Sequence, residues 1–437
     1  MFKELYGDHV REMQGRWEAA MLAHDCDAIL LHAGTPLISF LDDYEYAYRS
    51  NPHFLAWLPL RHHHDSVLLI RPGERPLLWF YQPQDYWYSA PADPESWWAD
   101  HVEVRVVSDT DAWHAELPAA PGRMVALGDA PALAALFPAE CINPPALLTT
   151  LHIERTRKTG YEVACMSQAN RQAALAHVAA ERAFRDGKSE FDIHLAYLHA
   201  CRQNDPELPY NSIVALNQHG AVLHYQQRER ITPAYVVSFL IDAGSTVHAY
   251  AADVTRSYAA QSGEFADLIS AMETVQQGLA GQVRAGLDFR DLHLSAHLRI
   301  AEILLAAGIV RLAAEDAVAT GLSSVFFPHG LGHFIGLQTH DVAGLIDNEG
   351  HSMARPDGHP FLRLTRILEA GNVVTIEPGV YFIEPLLNKW RAEGDVKAIN
   401  WDAVARLAPC GGIRIEDNVL VTATAGDNLT RKAFAAL

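Results

Sequence analysis

The sequence predicts an α+β protein in two domains, a smaller α/β domain followed by a larger one in which helices pack on a curved antiparallel sheet. Three observations point there. The chain has 437 residues, too many for one ordinary core. Its first third alternates helical and strand patterns with turn signals between them. The remainder opens on helical periodicity and then carries short apolar strands, each with polar residues along one face.

In chain order, an amphipathic helix is expected over about Gly7 to Ala23, then strands near Ala28–His32, Ser66–Ile70 and Leu77–Tyr81. Pro72-Gly73-Glu74 is the hairpin signal between the last two. Further strands are expected near Val102–Val107 and Met124–Leu127, and Asn143-Pro144-Pro145 marks the approach to a boundary. The domains are drawn at 1–157 and 158–437. Helical pattern then runs from about Lys158 to Asp186, where Gly187 is a stop, and Ser189 with Asp192 caps the next helix. A third helix begins near Phe265, and its stripe Leu268, Ile269, Met272, Leu279 and Val283 belongs to the core. A fourth ends near Gly308, and strands are expected to dominate from there on.

The chemistry concentrates in five short motifs: Asp242 in F-L-I-D-A-G, Asp253 in A-A-D-V-T-R, His333 in H-G-L-G-H, Glu377 in T-I-E-P-G and Glu416 in I-R-I-E-D-N. Val236 to Ile241 is an apolar run with Asp242 at its end, Gly244-Ser245 supplies turn chemistry, and a second strand follows through Asp253 to Tyr258. Such a hairpin sets Asp242 and Asp253 side by side. The strand period of two puts Arg414 and Glu416 on one face, Ile413 and Ile415 on the other. The same parity groups Thr375 with Glu377 and Thr255 with Asp253. Thr255 and Arg414 are then the partners that orient ligands. His333 follows Gly330 and Gly332, which permit close backbone approach. The run His62-His63-His64 cannot converge on one ion from a strand and reads as surface or packing. Four carboxylates and one imidazole form a donor set for two hard divalent cations, and the four negative charges would balance two dications.

In this order and spacing the motifs resemble the pita-bread metallopeptidases. L-W-F-Y, S-I-V-A-L-N-Q-H-G-A-V-L-H-Y and G-G-I-R-I-E-D-N narrow the resemblance to the bacterial Xaa-Pro dipeptidases and the organophosphorus acid anhydrolases. The resemblance implies a pita-bread catalytic domain behind a creatinase-like amino-terminal domain that dimerises and lids the substrate site. It implies Asp242, Asp253, His333, Glu377 and Glu416 as ligands of two metal ions, Mn²⁺ being favoured, with Asp253 and Glu416 bridging. It makes Glu377 the general base, places His340 near the transition-state oxygen, and lines the pocket with His224, His329 and Tyr210. Arg366 is implied to meet a substrate carboxylate. Asp43 and Trp87 are implied to reach the neighbouring subunit's site in a homodimer. The implied reaction is hydrolysis of Xaa-Pro dipeptides by a hydroxide between the metals, with organophosphorus triesters as side substrates. Removal of the first residue from longer Xaa-Pro peptides, or non-catalytic peptide binding, are the alternatives.

The rest of the composition sets bounds. A formal net charge of −19 without a basic stripe argues against nucleic acid and against an anionic membrane surface. No apolar run reaches the roughly 18 residues of a membrane span, and the start lacks the apolar core of a signal peptide. Cys26, Cys141, Cys165, Cys201 and Cys410 are odd in number and widely spaced, which fits reduced thiols in a cytoplasm.

Overall fold

The structure, a computed structural model, describes residues 2–117, 123–129 and 131–437. Two compact units divide it: one runs to Arg155 and takes in Thr159–Cys165, the other holds Thr156–Lys158 and Met166–Leu437.

In the first unit the opening helix is Phe2–Ala23, starting a turn earlier than the pattern predicts. Tyr6, Val10, Met13, Trp17 and Ala20 recur every three or four positions and are buried, so one stripe faces the core. Strands β1 (Ala28–His32), β2 (Val67–Ile70), β3 (Leu77–Tyr81), β4 (Glu103–Val107) and β5 (Met124–Leu127) make one sheet in the order β4-β3-β2-β1-β5. The expected hairpin joins β2 to β3, with Gly73 in the left-handed region at φ 71°. β1 pairs in parallel with β5, and β3 with β4, which makes the sheet mixed. Leu30, Leu69, Trp79 and Trp113 pack together in its core. Each fully buried side chain of that kind contributes about 1.5–3 kcal/mol. Two segments of this unit stay apolar and exposed: Leu37 to Tyr46, with Phe40 and Leu41 outermost, and Tyr86 to Tyr88.

The helices expected from periodicity follow: Gly160–Arg185, whose first turns belong to the first unit, then Glu190–Cys201, Glu264–Ala280 and Phe289–Ala306 in the second. Ser189 caps the second of them, its hydroxyl accepting from the Asp192 N–H. The strands are β6 (Ile213–Leu216), β7 (Ser238–Asp242), β8 (Thr246–Val247), β9 (Tyr250–Ala251), β10 (Thr255–Ala259), β11 (Val373–Ile376), β12 (Gly379–Tyr381), β13 (Gly412–Arg414), β14 (Asp417–Val421) and β15 (Gly426–Asn428). They pair antiparallel in short pieces, β10-β7-β6, β11-β14-β15, β12-β13 and β8-β9. A bridge between Thr255 and Glu416 links two of these pieces, and one between Phe334 and Val374 ties the His333 segment to β11.

Two expectations need correction. Strands do not dominate after Gly308, because helices Ala314–Ala319, Leu322–Phe326, Glu384–Glu393, Trp401–Leu407 and Leu429–Ala435 lie among them. Each is too short to sustain a readable helical period, and packing of single residues such as Leu387 and Val404 on the core holds it. The tight turn after β7 is not at Gly244-Ser245 either. It falls at His248 and Ala249, both at positive φ, between β8 and β9. Gly244 serves close approach instead, since a Cβ there would lie 2.0 Å from the Ala252 carbonyl oxygen.

Candidate metal centre

Three strand junctions in the second unit bring the five acidic and imidazole groups together. Asp242 ends β7 opposite Thr255 of β10, and the Ala243 N–H donates to the Val254 carbonyl at 3.0 Å, so pairing continues to the residue beside Asp253. Asn418 fixes Asp253 from the next strand: its Oδ1 accepts the Asp253 N–H at 2.9 Å and its Nδ2 donates to the Asp253 carbonyl at 2.6 Å. Glu416 joins through its N–H, which donates to the Thr255 carbonyl at 3.0 Å. On the other side the Thr375 N–H donates to His333 O at 2.9 Å and the Glu377 N–H to Leu331 O at 2.8 Å. That pairing explains Gly332: a Cβ there would stand 2.0 Å from the Thr375 carbonyl oxygen, so any side chain forces the two segments apart.

The result is a tight donor cluster. Asp253, His333 and Glu416 each offer one ligand atom within 4.8 Å of the others. His333 Nε2 lies 3.6 Å from Asp253 Oδ2 and 3.5 Å from Glu377 Oε1. His333 Nδ1 donates to the Phe334 carbonyl at 2.9 Å, which leaves the lone pair on Nε2 facing the acids. Asp242 Oδ2 accepts from Arg414 Nη2 at 2.6 Å, whereas Asp242 Oδ1 is buried with no hydrogen-bond partner.

Thr255 and Arg414 both bond to acids of the cluster. The Thr255 hydroxyl donates to Glu416 Oε2 at 2.7 Å and accepts from Arg414 Nε at 3.2 Å. Arg414 therefore spans Asp242, Thr255 and the Tyr381 hydroxyl, the last at 2.9 Å. Tyr210 donates to Asp253 Oδ1 at 2.6 Å. His329 is held by the Gly330 carbonyl and the Tyr381 hydroxyl, each at 2.8 Å, and its Nδ1 is 3.7 Å from Glu377 Oε2. The His340 ring lies edge-on to His333 with centroids 4.4 Å apart. His224 is exposed, and its charge is felt at His329 and His340.

Electrostatically the cluster is short of positive charge. Burial raises Asp242 and Asp253 raises it further, with Arg414 opposing. Burial and the three neighbouring acids raise Glu416 well above the usual carboxylate range. Glu377 is pushed up to about 7, by burial first, against the pull of His333. Only Asp253 is held low, because the bonds from His333 and Tyr210 outweigh its burial. His333 is raised: burial acts to lower it and is outweighed by Asp253 and Glu377. Four carboxylates facing one imidazole and one guanidinium, with a bare oxygen on Asp242, form a donor set that fits divalent cations.

Arg366 departs from its expected place. It is 3% exposed, and its guanidinium donates to the Ile346 carbonyl at 3.1 Å, to Asn348 Oδ1 and to Glu369 Oε1 at 3.3 Å. Those internal acceptors, on its own loop, occupy the fork that a substrate carboxylate would need. The exposed cation of the same segment is Arg363, whose charge reaches His340. Asp43 and Trp87 are exposed residues of the first unit, Trp87 at 75%. His63 packs on Phe80 and His64 pairs with Asp65, as a packing role for that run requires.

Strand parity also points to two residues outside the four motif acids and the motif histidine. Tyr381 continues the face of Thr375 and Glu377, and Asn418 continues that of Arg414 and Glu416, so both were within reach of the same argument. Arg363 carried no such signal.

Comparison with known proteins agrees with this geometry. Residues 4–153 match the description "Xaa-Pro dipeptidase, N-terminal domain", and residues 164–423 match "Metallopeptidase family M24". The chain is 48% identical over 435 residues to a Xaa-Pro dipeptidase of Xanthomonas campestris, covering 99% of this chain and 98% of that one. A Xaa-Pro dipeptidase of Stenotrophomonas maltophilia is 46% identical over the same span and coverage. Among solved structures, aminopeptidase PepP of Pseudomonas aeruginosa superposes with a TM-score of 0.73 at 22% identity, covering 99% of this chain and 98% of that one. A zinc-substituted aminopeptidase P of Escherichia coli gives 0.71 at 22%, covering 97% and 95%. The fold is the pita-bread fold with an amino-terminal domain.

Proposed function

The chain belongs to metallopeptidase family M24, and we propose that it is a Xaa-Pro dipeptidase working with two divalent metal ions. The observation that carries the metal pair is the tight cluster of Asp253, His333 and Glu416, with Glu377 3.5 Å from His333 and Asp242, its Oδ1 unpartnered, close enough to raise Glu416. Asp242, Asp253, His333, Glu377 and Glu416 would hold the ions, with Asp253 and Glu416 the central acids of the set. Four oxygens to one nitrogen favour Mn²⁺. When bound, such a pair supplies Lewis acidity and a water of lowered pKa.

The chain's own residues do the rest. Glu377, steadied by the Thr375 hydroxyl at 3.3 Å, takes a proton at its carboxylate and returns it to the proline nitrogen as the bond breaks. That nitrogen is a tertiary amide without a hydrogen, so the site reads proline by shape, with His224, Tyr210 and His329 as walls. Burial and the His333 charge push His340 down to about 4, so it stays neutral at working pH and can donate an N–H to the developing oxyanion. Arg363 rather than Arg366 meets the substrate carboxylate, which selects dipeptides over longer chains.

Around this core we place domains at 1–157 and 158–437 and a homodimer in which Asp43 and Trp87 complete the partner's site. The exposed apolar segments Leu37 to Tyr46 and Tyr86 to Tyr88 support an interface. A cytoplasmic setting is supported by five free cysteines, and no described helix is long and apolar enough to cross a membrane. Organophosphorus triesters are side substrates of the same cavity.

The test is Ala-Pro against Ala-Pro-Ala, with protein stripped of metal and then given Mn²⁺. Turnover of Ala-Pro that appears only with Mn²⁺, and little of Ala-Pro-Ala, is expected. Full activity of verified metal-free protein refutes the metal reading, and preference for the tripeptide refutes the dipeptidase.

A further inference from the structure

Three histidines outside the carboxylate cavity have no part in the chemistry above. His293 and His297 stand four apart on the Phe289–Ala306 helix, hence on one face, and both are 1% exposed. His359 reaches them from a half-buried loop position. The ring centroids are 4.4 to 4.7 Å apart, and each residue offers a ring nitrogen within 4.8 Å of the others.

Their hydrogen bonding is incomplete. His293 Nε2 and His359 Nδ1 share one contact at 3.0 Å, and His297 Nδ1 meets the Ser323 hydroxyl at 3.0 Å. His293 Nδ1 and His297 Nε2 are buried with no partner at all. A buried polar atom left unpaired costs about 1–3 kcal/mol, and two of them in one cluster call for a ligand. With Nδ1–H donating to the Ser323 hydroxyl, His297 would keep a bare lone pair on Nε2, the form that binds metal.

We propose that His293, His297 and His359 form a separate nitrogen-donor metal site, and that its ligand is Zn²⁺. The donors are three imidazoles with no carboxylate among them, the reverse of the oxygen-rich cavity. Such a set favours Zn²⁺ over Mn²⁺. Zn–N bonds of about 2.0–2.1 Å in a tetrahedron put nitrogens roughly 3.4 Å apart, with water as the fourth ligand. Burial and the neighbouring histidines hold His293 and His297 neutral, at about 2 and about 3, so no proton competes near pH 7. Phe327 packs against His293 and His297 and also against His329, so the ion would sit one aromatic ring from the pocket wall.

Mn²⁺-loaded protein dialysed against Zn²⁺ and analysed for metal content tests this without an activity readout. The wild type should hold one zinc per chain more than His297→Gln or His359→Asn. Diffraction at the zinc edge should show a peak among the three rings. His359→Asn changes only a half-buried loop position, so it keeps the comparison valid if the helix variant fails to fold. Equal zinc in the wild type and His359→Asn, or zinc-edge peaks confined to the carboxylate cavity, overturns the proposal.

Discussion

Thr255→Val removes one hydroxyl and keeps the side-chain shape, so it isolates what that hydroxyl does for Glu416. The hydroxyl donates to Glu416 Oε2 at 2.7 Å and accepts from Arg414 Nε at 3.2 Å, in a position fully shielded from water. A hydrogen bond to a charged group is worth about 1.5–3 kcal/mol, and the valine leaves both partners without a replacement. If Glu416 bridges two ions, that loss appears as weaker metal binding, by about 10- to 100-fold. At 1.36 kcal/mol per tenfold this is roughly 1.4–2.7 kcal/mol, which matches the lost bond. The assay is Mn²⁺ titration against a competing chelator, with Ala-Pro turnover measured at saturating metal. The half-saturating Mn²⁺ concentration should rise 10- to 100-fold while saturated kcat changes little, and Thr255→Ser should restore the wild-type value. An unchanged Mn²⁺ titration with a collapsed kcat would show that Thr255 acts on the substrate and refute the reasoning.

Arg363→Met should raise KM for Ala-Pro by the equivalent of about 2–3 kcal/mol, a lost charge-assisted pair, and barely touch a neutral phosphotriester. Arg366→Met should instead lower the melting temperature, because it strands the Ile346 carbonyl, Asn348 and Glu369; equal KM effects from the two variants would sink this division of labour. Gly332→Ala should lose activity and several kcal/mol of stability, since its Cβ falls 2.0 Å from the Thr375 carbonyl, and a variant with wild-type thermal unfolding would contradict it. His177 is buried, with Nε2 at 2.9 Å from the Ala243 carbonyl and Nδ1 unpartnered, and burial pushes it down to about 3. The unfolded chain therefore binds this proton first, so the stability His177 brings is present above about pH 6.5 and lost as pH falls toward 3. Urea midpoints of metal-stripped wild type should drop more steeply between pH 6 and 5 than those of His177→Gln, and parallel slopes would count against it.

Much of the site was legible because the strands that flank its acids obey a period of two. Arg414, Glu416 and Asn418 share one face, as do Thr375, Glu377 and Tyr381, and apolar residues fill the other. Helices longer than three turns, such as Phe289–Ala306, were legible for the corresponding reason at a period near 3.6. Trp401–Leu407 and Leu322–Phe326 were not, because so few residues cannot display a period and tertiary contact decides them. The two arginines of L-R-L-T-R illustrate the other blind spot. Both are cations on one loop, and only the acceptors at Ile346, Asn348 and Glu369, distant or unmarked in sequence, say which one is buried. The histidine cluster is not legible in the sequence because His359 lies 66 positions from His293.

The bridge between Thr255 and Glu416 joins residues 161 positions apart, and that separation governs when the cavity can exist. Closing so long a loop costs entropy before any contact repays it, so the pairing belongs late in folding. During synthesis Asp242 and Asp253 emerge well before Glu416, so a metal site that needs all three would form only with the completed pairing. If the proposed metal binds only the native state, its free concentration sets the native population by mass action, each tenfold excess over Kd adding about 1.4 kcal/mol. A cell short of the ion would carry less folded protein, not merely less active protein.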